Sequence, residues 1–218
     1  ISVFNKDGID DLATYLAKNN VKLYSTGGTQ KYLESIGLEV EAVEDYTKYP
    51  SVFGGRVKTL HPAIFGGILY RRDNESDLEE LAKHNIPNLD LIIVDLYPFE
   101  DTVKSGASHT DIIEKIDIGG ISLIRAAAKN YKFTSIISDQ SQYSFVLNHL
   151  KENEGSTTLK FREELAVAAF QKSHHYDGAI HGYLNKEEVV ALRYGENPHQ
   201  NASFTGKIDQ IFHKLSGK

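Results

Sequence analysis

Cysteine is absent from the 218 residues, which excludes a disulfide framework and thiol catalysis and removes the commonest structural zinc ligands. Folding must rest on burial, and the 40% hydrophobic content suffices for one generous domain, or one domain and part of another. No apolar run approaches the roughly 20 residues that span a bilayer, and no charged start followed by an apolar core marks a secretory signal. A soluble, cytoplasmic protein is expected. An excess of positive charge is also missing, since 24 Lys and Arg stand against 30 Asp and Glu for a net charge of -6. That balance disfavours a sequence-independent hold on nucleic acid or an acidic membrane, while leaving room for local cationic pockets. Internal repeats and low-complexity blocks are absent too. No methionine opens the chain, which begins in the strand-like run Ile1-Ser2-Val3-Phe4; a few residues are expected to precede it.

What is present alternates. Strand-length apolar runs at 1–4, 21–24, 89–94 and 133–138 are separated by helix-period segments. That order predicts an α/β fold, a mostly parallel sheet with helices on both faces. The clearest buried strand is 89–94. Helices are expected at 9–18, with Ile9, Leu12, Ala13 and Leu16 on one stripe, and at 29–36, stopped by Gly37. Others follow at 76–84, where Ser76 to Glu79 has capping-box spacing, at 110–116, at 121–130, from a cap at Asp139–Gln142 to about residue 150, and at 159–173. Composition shifts near Asn185, after which Leu192-Arg193-Tyr194-Gly195-Glu196-Asn197-Pro198-His199-Gln200 stands alone.

Four segments, three of them glycine-bearing, carry the chemistry, together with Leu96-Tyr97-Pro98-Phe99. Ser25-Thr26-Gly27-Gly28-Thr29 lies between an expected strand and an expected helix, where backbone N–H groups and hydroxyls gather at the helix start and the dipole favours an anion such as a phosphate monoester; the plain alternative is a strand-to-helix turn. In Gly54-Gly55-Arg56-Val57-Lys58-Thr59-Leu60-His61-Pro62 the cations Arg56 and Lys58 are two apart, so extended backbone turns both to one face. Solvated surface is the usual fate of such cations, and His61 reads as a satisfied local histidine. Asp117 precedes Gly119 and Gly120 and either caps the next helix or points into a cleft. Lys129, in Ala126-Ala127-Ala128-Lys129-Asn130, falls at that helix's far end, where a cation suits the dipole. Tyr97, in Leu96-Tyr97-Pro98-Phe99, follows the clearest strand, at the edge where parallel sheets bind ligands; it stacks on a heterocycle, lends its hydroxyl, or caps the core. His174, His175 and His181 lack an acidic ligand pattern, and no metal is assigned.

Together these segments resemble the N-terminal IMP cyclohydrolase domain of the bifunctional PurH family, whose members also carry AICAR transformylase. The resemblance implies a methylglyoxal-synthase-like fold and the dehydrative closure of 5-formamidoimidazole-4-carboxamide ribotide to IMP. It implies catalytic roles for Lys58, Tyr97, Asp117 and Lys129. Ser2, Lys6, Thr26, Gly27, Gly28, Thr29, Arg56, Thr59, Gly119 and Gly120 are implied to bind substrate. The run at 192–200 resembles the opening of the transformylase domain, so the domain is expected over 1–185 and a linker with a truncated second domain over 186–218. Ring closure then needs no cofactor, while 10-formyltetrahydrofolate serves the transformylase, whose activity is not expected in this fragment. The partner is a purine ribotide, with no nucleic acid and no membrane, and the full-length protein is expected to be a homodimer. Two alternatives share the fold: a phosphate-eliminating lyase of the methylglyoxal synthase type, and a regulatory nucleotide-binding module without turnover.

Overall fold

Two short parallel strand pairs organise the chain in a computed structural model that describes residues 1–185, 189–192 and 202–205. β1 (Tyr24–Ser25) pairs with β2 (Glu41–Ala42), and β3 (Leu91–Ile93) with β4 (Ser135–Ile137). A parallel bridge joins Ser2 to Val94, with the Ser2 N–H donating to Ile93 O at 2.8 Å. The strands expected at 1–4 and 21–24 are thus mostly unpaired. Residues 21–24 and 89–94 both border an apolar cavity of about 510 Å³, and the start of the chain runs between them, Ile1 N donating to Tyr24 O at 2.7 Å.

The helices are α1 (Ile9–Lys18), α2 (Gly27–Ser35), α3 (Val43–Thr47), α4 (Pro62–Leu69), α5 (Glu75–Lys83), α6 (Phe99–Lys104), α7 (His109–Glu114), α8 (Gly119–Lys129), α9 (Tyr143–Glu152) and α10 (Leu159–Asn185). In α1 the stripe of Ile9, Leu12, Ala13 and Leu16 is buried as its spacing requires. β3 and β4 hold the centre of the core, where Ile93, Ile136 and Ile137 are almost fully enclosed. α8 packs on both strands through Leu123, Ile124 and its three alanines, α4 packs on α8, and α1 on α9. Parallel strands interleaved with helices make the fold α/β, as the alternation predicts.

Several boundaries differ from expectation for identifiable reasons. α5 is capped by Asn74, whose side chain accepts from the Asp77 N–H at 3.0 Å, so Ser76 lies inside the helix and caps nothing. α4 has no strong stripe, but Pro62 at its first position and His61 as its cap start it: His61 Nδ1 accepts from the Ala63 N–H at 3.2 Å. The Asp139–Gln142 capping box forms as predicted and leads through a 3-10 turn into α9. α10 runs well past residue 173.

The chain divides into two compact units, Ile1–His175 and Tyr176–Lys218, ten residues before the break expected after 185. In the second, β5 (Val189–Leu192) and β6 (Ala202–Thr205) pair antiparallel. Of the 192–200 run only Leu192 falls within the described residues. Among the described residues no helix is long and apolar enough to cross a membrane.

Candidate functional site

The carboxyl ends of the strands and the loops beyond them enclose a polar cleft of about 490 Å³, the place where open parallel sheets offer a ligand site. β1 delivers Thr26, Gly28 and Thr29 to it; β3 runs on through Val94 to Asp95 and Tyr97; the Ser2–Val94 bridge brings in Ser2, Phe4 and Lys6. A loop over 54–59 supplies Arg56, Lys58 and Thr59, and the α7–α8 connection supplies Asp117, Gly119 and Gly120. Five segments far apart in sequence therefore meet at one place.

At one end stands the start of α2. Thr26 is its extended N-cap residue, Gly27 takes a positive φ of 55°, and the only N-cap bond from the helix reaches Thr26 O from Gln30 N. The N–H groups of the first turn have no intrahelical acceptor by construction, and the Lys58 ammonium lies within 3.7 Å of where a Gly27 β-carbon would be. A cation and a helix start so disposed suit an anion. The hydroxyls, however, do not face it. Thr26 Oγ1 donates to Glu44 Oε1 at 2.5 Å, and Thr29 Oγ1 donates to Val3 O at 2.8 Å while accepting from Val3 N at 3.1 Å. These two side chains tie the loop to its neighbours, which corrects the expectation that their hydroxyls are offered to phosphate. Lys6 is similarly committed, since its ammonium donates to Val3 O at 2.9 Å and Phe4 O at 2.7 Å.

A prediction follows for the buried Thr29. Valine there takes away the acceptor of the Val3 N–H and leaves Val3 O to Lys6 alone, a loss of about 1–3 kcal/mol, read as a Tm drop of about 2–4 °C per kcal/mol for a chain this long. Thermal melts of Thr29→Val beside Thr29→Ser, which keeps the hydroxyl, check it.

At the other end Asp117 does both things its sequence context allowed. Its Oδ1 accepts from the Gly120 N–H at 2.6 Å, capping α8, and the residue lines the cleft. Burial pushes its carboxyl above the usual carboxylate range, against the backbone N–H groups of Gly120 and Ile121 and the nearby Lys58, which pull it down. The two glycines are there for space: a β-carbon on Gly120 would lie 2.7 Å from Asp117 Oδ2, and one on Gly119 would lie 2.9 Å from Thr59 Oγ1. The Tyr97 ring, with the Lys115 ammonium 5.5 Å from its centroid, faces the same space. Arg56 reaches across the mouth to Glu114 at 3.8 Å, an exposed pair of little energetic weight.

Lys129 is the expected site residue that the structure does not bring to the cleft. α8 begins at the cleft with Gly119 and runs away from it, and ten residues of rise put Lys129 about 15 Å along the axis. It is exposed on the last turn, beside Asn130, whose side chain holds Ile68 O and Tyr70 O. The histidines also lie apart: His175 pairs with Glu100 at 2.9 Å, and among the described residues no group of three or more His, Asp or Glu is disposed to hold a metal. Sequence reading missed Phe4, Asp95 and residues 113–116 and 118 as cleft residues; the exposed aromatic Phe4 beside a polar loop was the available signal.

Comparison with known proteins agrees with this architecture. The model of the MGS-like domain matches residues 8–122, and that of the AICARFT/IMPCHase bienzyme matches residues 127–218. The chain is 53% identical over 228 residues to the bifunctional purine biosynthesis protein PurH of Bacteroides thetaiotaomicron, covering 100% of this chain and 45% of that protein. PurH of Cereibacter sphaeroides is 44% identical over 218 residues, covering 94% of this chain and 41% of that protein. The chain thus spans less than half the length of these curated relatives. The crystal structure of ForH superposes with a TM-score of 0.72 at 35% identity, covering 83% of this chain and 92% of that one. The chain therefore belongs to the MGS-like domain family, continued in sequence by the part that the AICARFT/IMPCHase bienzyme model matches.

Proposed function

We propose that this chain carries the IMP cyclohydrolase activity of a purine-biosynthesis enzyme, closing 5-formamidoimidazole-4-carboxamide ribotide to IMP with loss of water. The observation that carries the reading is the two-ended cleft: a helix start at one end, Asp117 with Tyr97 at the other, and the Lys58 ammonium near both, beside Gly27 and within the field of Asp117. A ribotide has this polarity, a phosphate at one end and the reacting groups on a heterocycle at the other. The names of the relatives and of the matching family, purine biosynthesis and AICARFT/IMPCHase, support the same substrate class.

In this reading the carboxamide nitrogen attacks the formyl carbon; an N–C bond forms and the formyl oxygen becomes the hydroxyl of a carbinolamine. That hydroxyl leaves as water and the ring is complete. Both reacting groups sit on one ring, so holding the formyl group in a near-attack geometry supplies much of the rate. Asp117, kept in a partly desolvated position, takes the amide proton, and the Tyr97 hydroxyl serves the departing oxygen. Lys58 faces the charge that grows on the formyl oxygen. Lys129 is too far from these atoms to touch them. Electrons and carbon units are neither gained nor lost, so the step calls for no redox or folate cofactor. The partner is the ribotide itself, and the homodimer is a proposal for the longer protein.

Three ligands separate this reading from its competitors. Ring closure of the formylated ribotide, followed by absorbance, supports a cyclohydrolase. Release of phosphate from a triose phosphate, without ring closure, identifies a lyase of the same fold. Binding of IMP with neither reaction identifies a regulatory module.

A further inference from the structure

The cleft has an apolar end. Phe4, Tyr97 and Ile118 line it with relative exposures of 47%, 37% and 57%. Single exposed apolar side chains are ordinary, but three around one polar cleft form a patch of the kind that ligands cover. The rings of Phe4 and Tyr97 meet edge to face at 5.4 Å, a favourable arrangement for an aromatic pair.

The main chain fixes Phe4 in this position. Its N–H donates to Asp95 Oδ1, and the next N–H, of Asn5, donates to Asp95 Oδ2 at 3.0 Å. From the other side the Lys6 ammonium holds Val3 O and Phe4 O. With donors and acceptors both tied, the loop cannot easily withdraw the ring into the core, and the core beneath is filled by Val3, itself bound to Thr29. The arrangement is a rigid aromatic surface set on a strand end and lining the cleft.

Resting on the cyclohydrolase reading, we propose that the Phe4 ring is the stacking face for the ligand's planar heterocycle and a specificity-determining residue of the site, with the Tyr97 ring, inclined 73° to it, meeting the heterocycle's edge. The phosphate takes the Gly27–Gly28 end and the heterocycle lies against the rings. Phe4 contributes ring surface only, so its effect belongs to aromatic ligands.

The test is calorimetric titration of IMP into the parent, Phe4→Leu and Phe4→Tyr, with inorganic phosphate as competitor. Loss of one stacking ring is expected to raise the Kd for IMP about tenfold in Phe4→Leu and to leave Phe4→Tyr within about twofold of the parent. The inhibition constant of inorganic phosphate stays the same in all three, and the drop in purine absorbance on binding is smaller in Phe4→Leu. Parent-like IMP affinity in Phe4→Leu overturns the proposal alone. So does an equal loss of IMP and phosphate, which marks a collapsed loop. A parent that binds phosphate but not IMP overturns the cyclohydrolase reading and this proposal with it.

Discussion

Alanine at Lys58 is expected to lower kcat/KM for ring closure by at least ~10²-fold, the usual consequence of deleting one preorganised stabiliser of developing charge. The side chain belongs to a polar loop and contributes little to the core, so the variant melts near the parent. The position of its ammonium adds a second expectation. Because it lies beside Gly27 and Gly55 as well as within the field of Asp117, part of the loss falls on KM, through the phosphate. A fall in kcat under saturating ribotide is the portion that assigns Lys58 to the transition state. A change confined to KM makes it a phosphate holder alone, and parent-like kinetics returns it to solvated surface.

Asparagine at Asp117 is expected to cost about 10²–10⁴-fold in turnover, the range for a positioned acid or base. The parent's pH profile follows from the direction of its shift. Burial raises the carboxyl above the ordinary aspartate value of 3.8, and proton abstraction needs the ionised form. Activity therefore declines on acidification along a limb placed above the usual carboxylate range, and that limb disappears in Asp117→Asn. Stability moves the other way. A folded-state value raised above the unfolded one contributes stability that is complete below the unfolded value and lost as pH rises through the folded value. At neutral pH the parent holds a charge its surroundings disfavour, so Asp117→Asn melts at or above the parent, and the difference shrinks on acidification. Combined pH–rate and pH–melting series check both signs; a destabilised variant with an unchanged acid limb would make Asp117 a structural cap only.

Local signals in the sequence were faithful where a single residue type decides a conformation. The α1 stripe, the Asp139–Gln142 box and the helix stop at Gly37 are of this kind, since each depends on neighbours within one turn. Strand extents were not legible, because pairing depends on a partner distant in sequence: residues 21–23 have strand composition, yet of them Leu23 alone bonds to β2, through its carbonyl, beside the paired Tyr24 and Ser25. The membership of the cleft was legible from the polar segments and the family resemblance they carry, as Ser2, Lys6, Thr26, Arg56, Lys58, Thr59, Tyr97 and Asp117 all line it. What individual groups do there was not. Thr26 and Lys6 read as phosphate ligands by type, yet Glu44 and two carbonyls take up their hydrogen bonds. A short motif also hides direction: Asp117 and Lys129 sit at the two ends of one helix, and helix length alone parts them.

The central claim is that one cleft holds a phosphate at the Gly27–Gly28 end and performs ring closure at the Asp117 end of the same ligand. Its most direct measurement is single-turnover ring closure with the chain in excess, run on the formylated ribotide and on the corresponding nucleoside without its phosphate. The account predicts rapid closure of the ribotide and a loss of at least ~10²-fold with the nucleoside, because binding energy at the remote phosphate orients the reacting groups. Equal rates for the two ligands, or no closure of the ribotide above the uncatalysed rate, would contradict it.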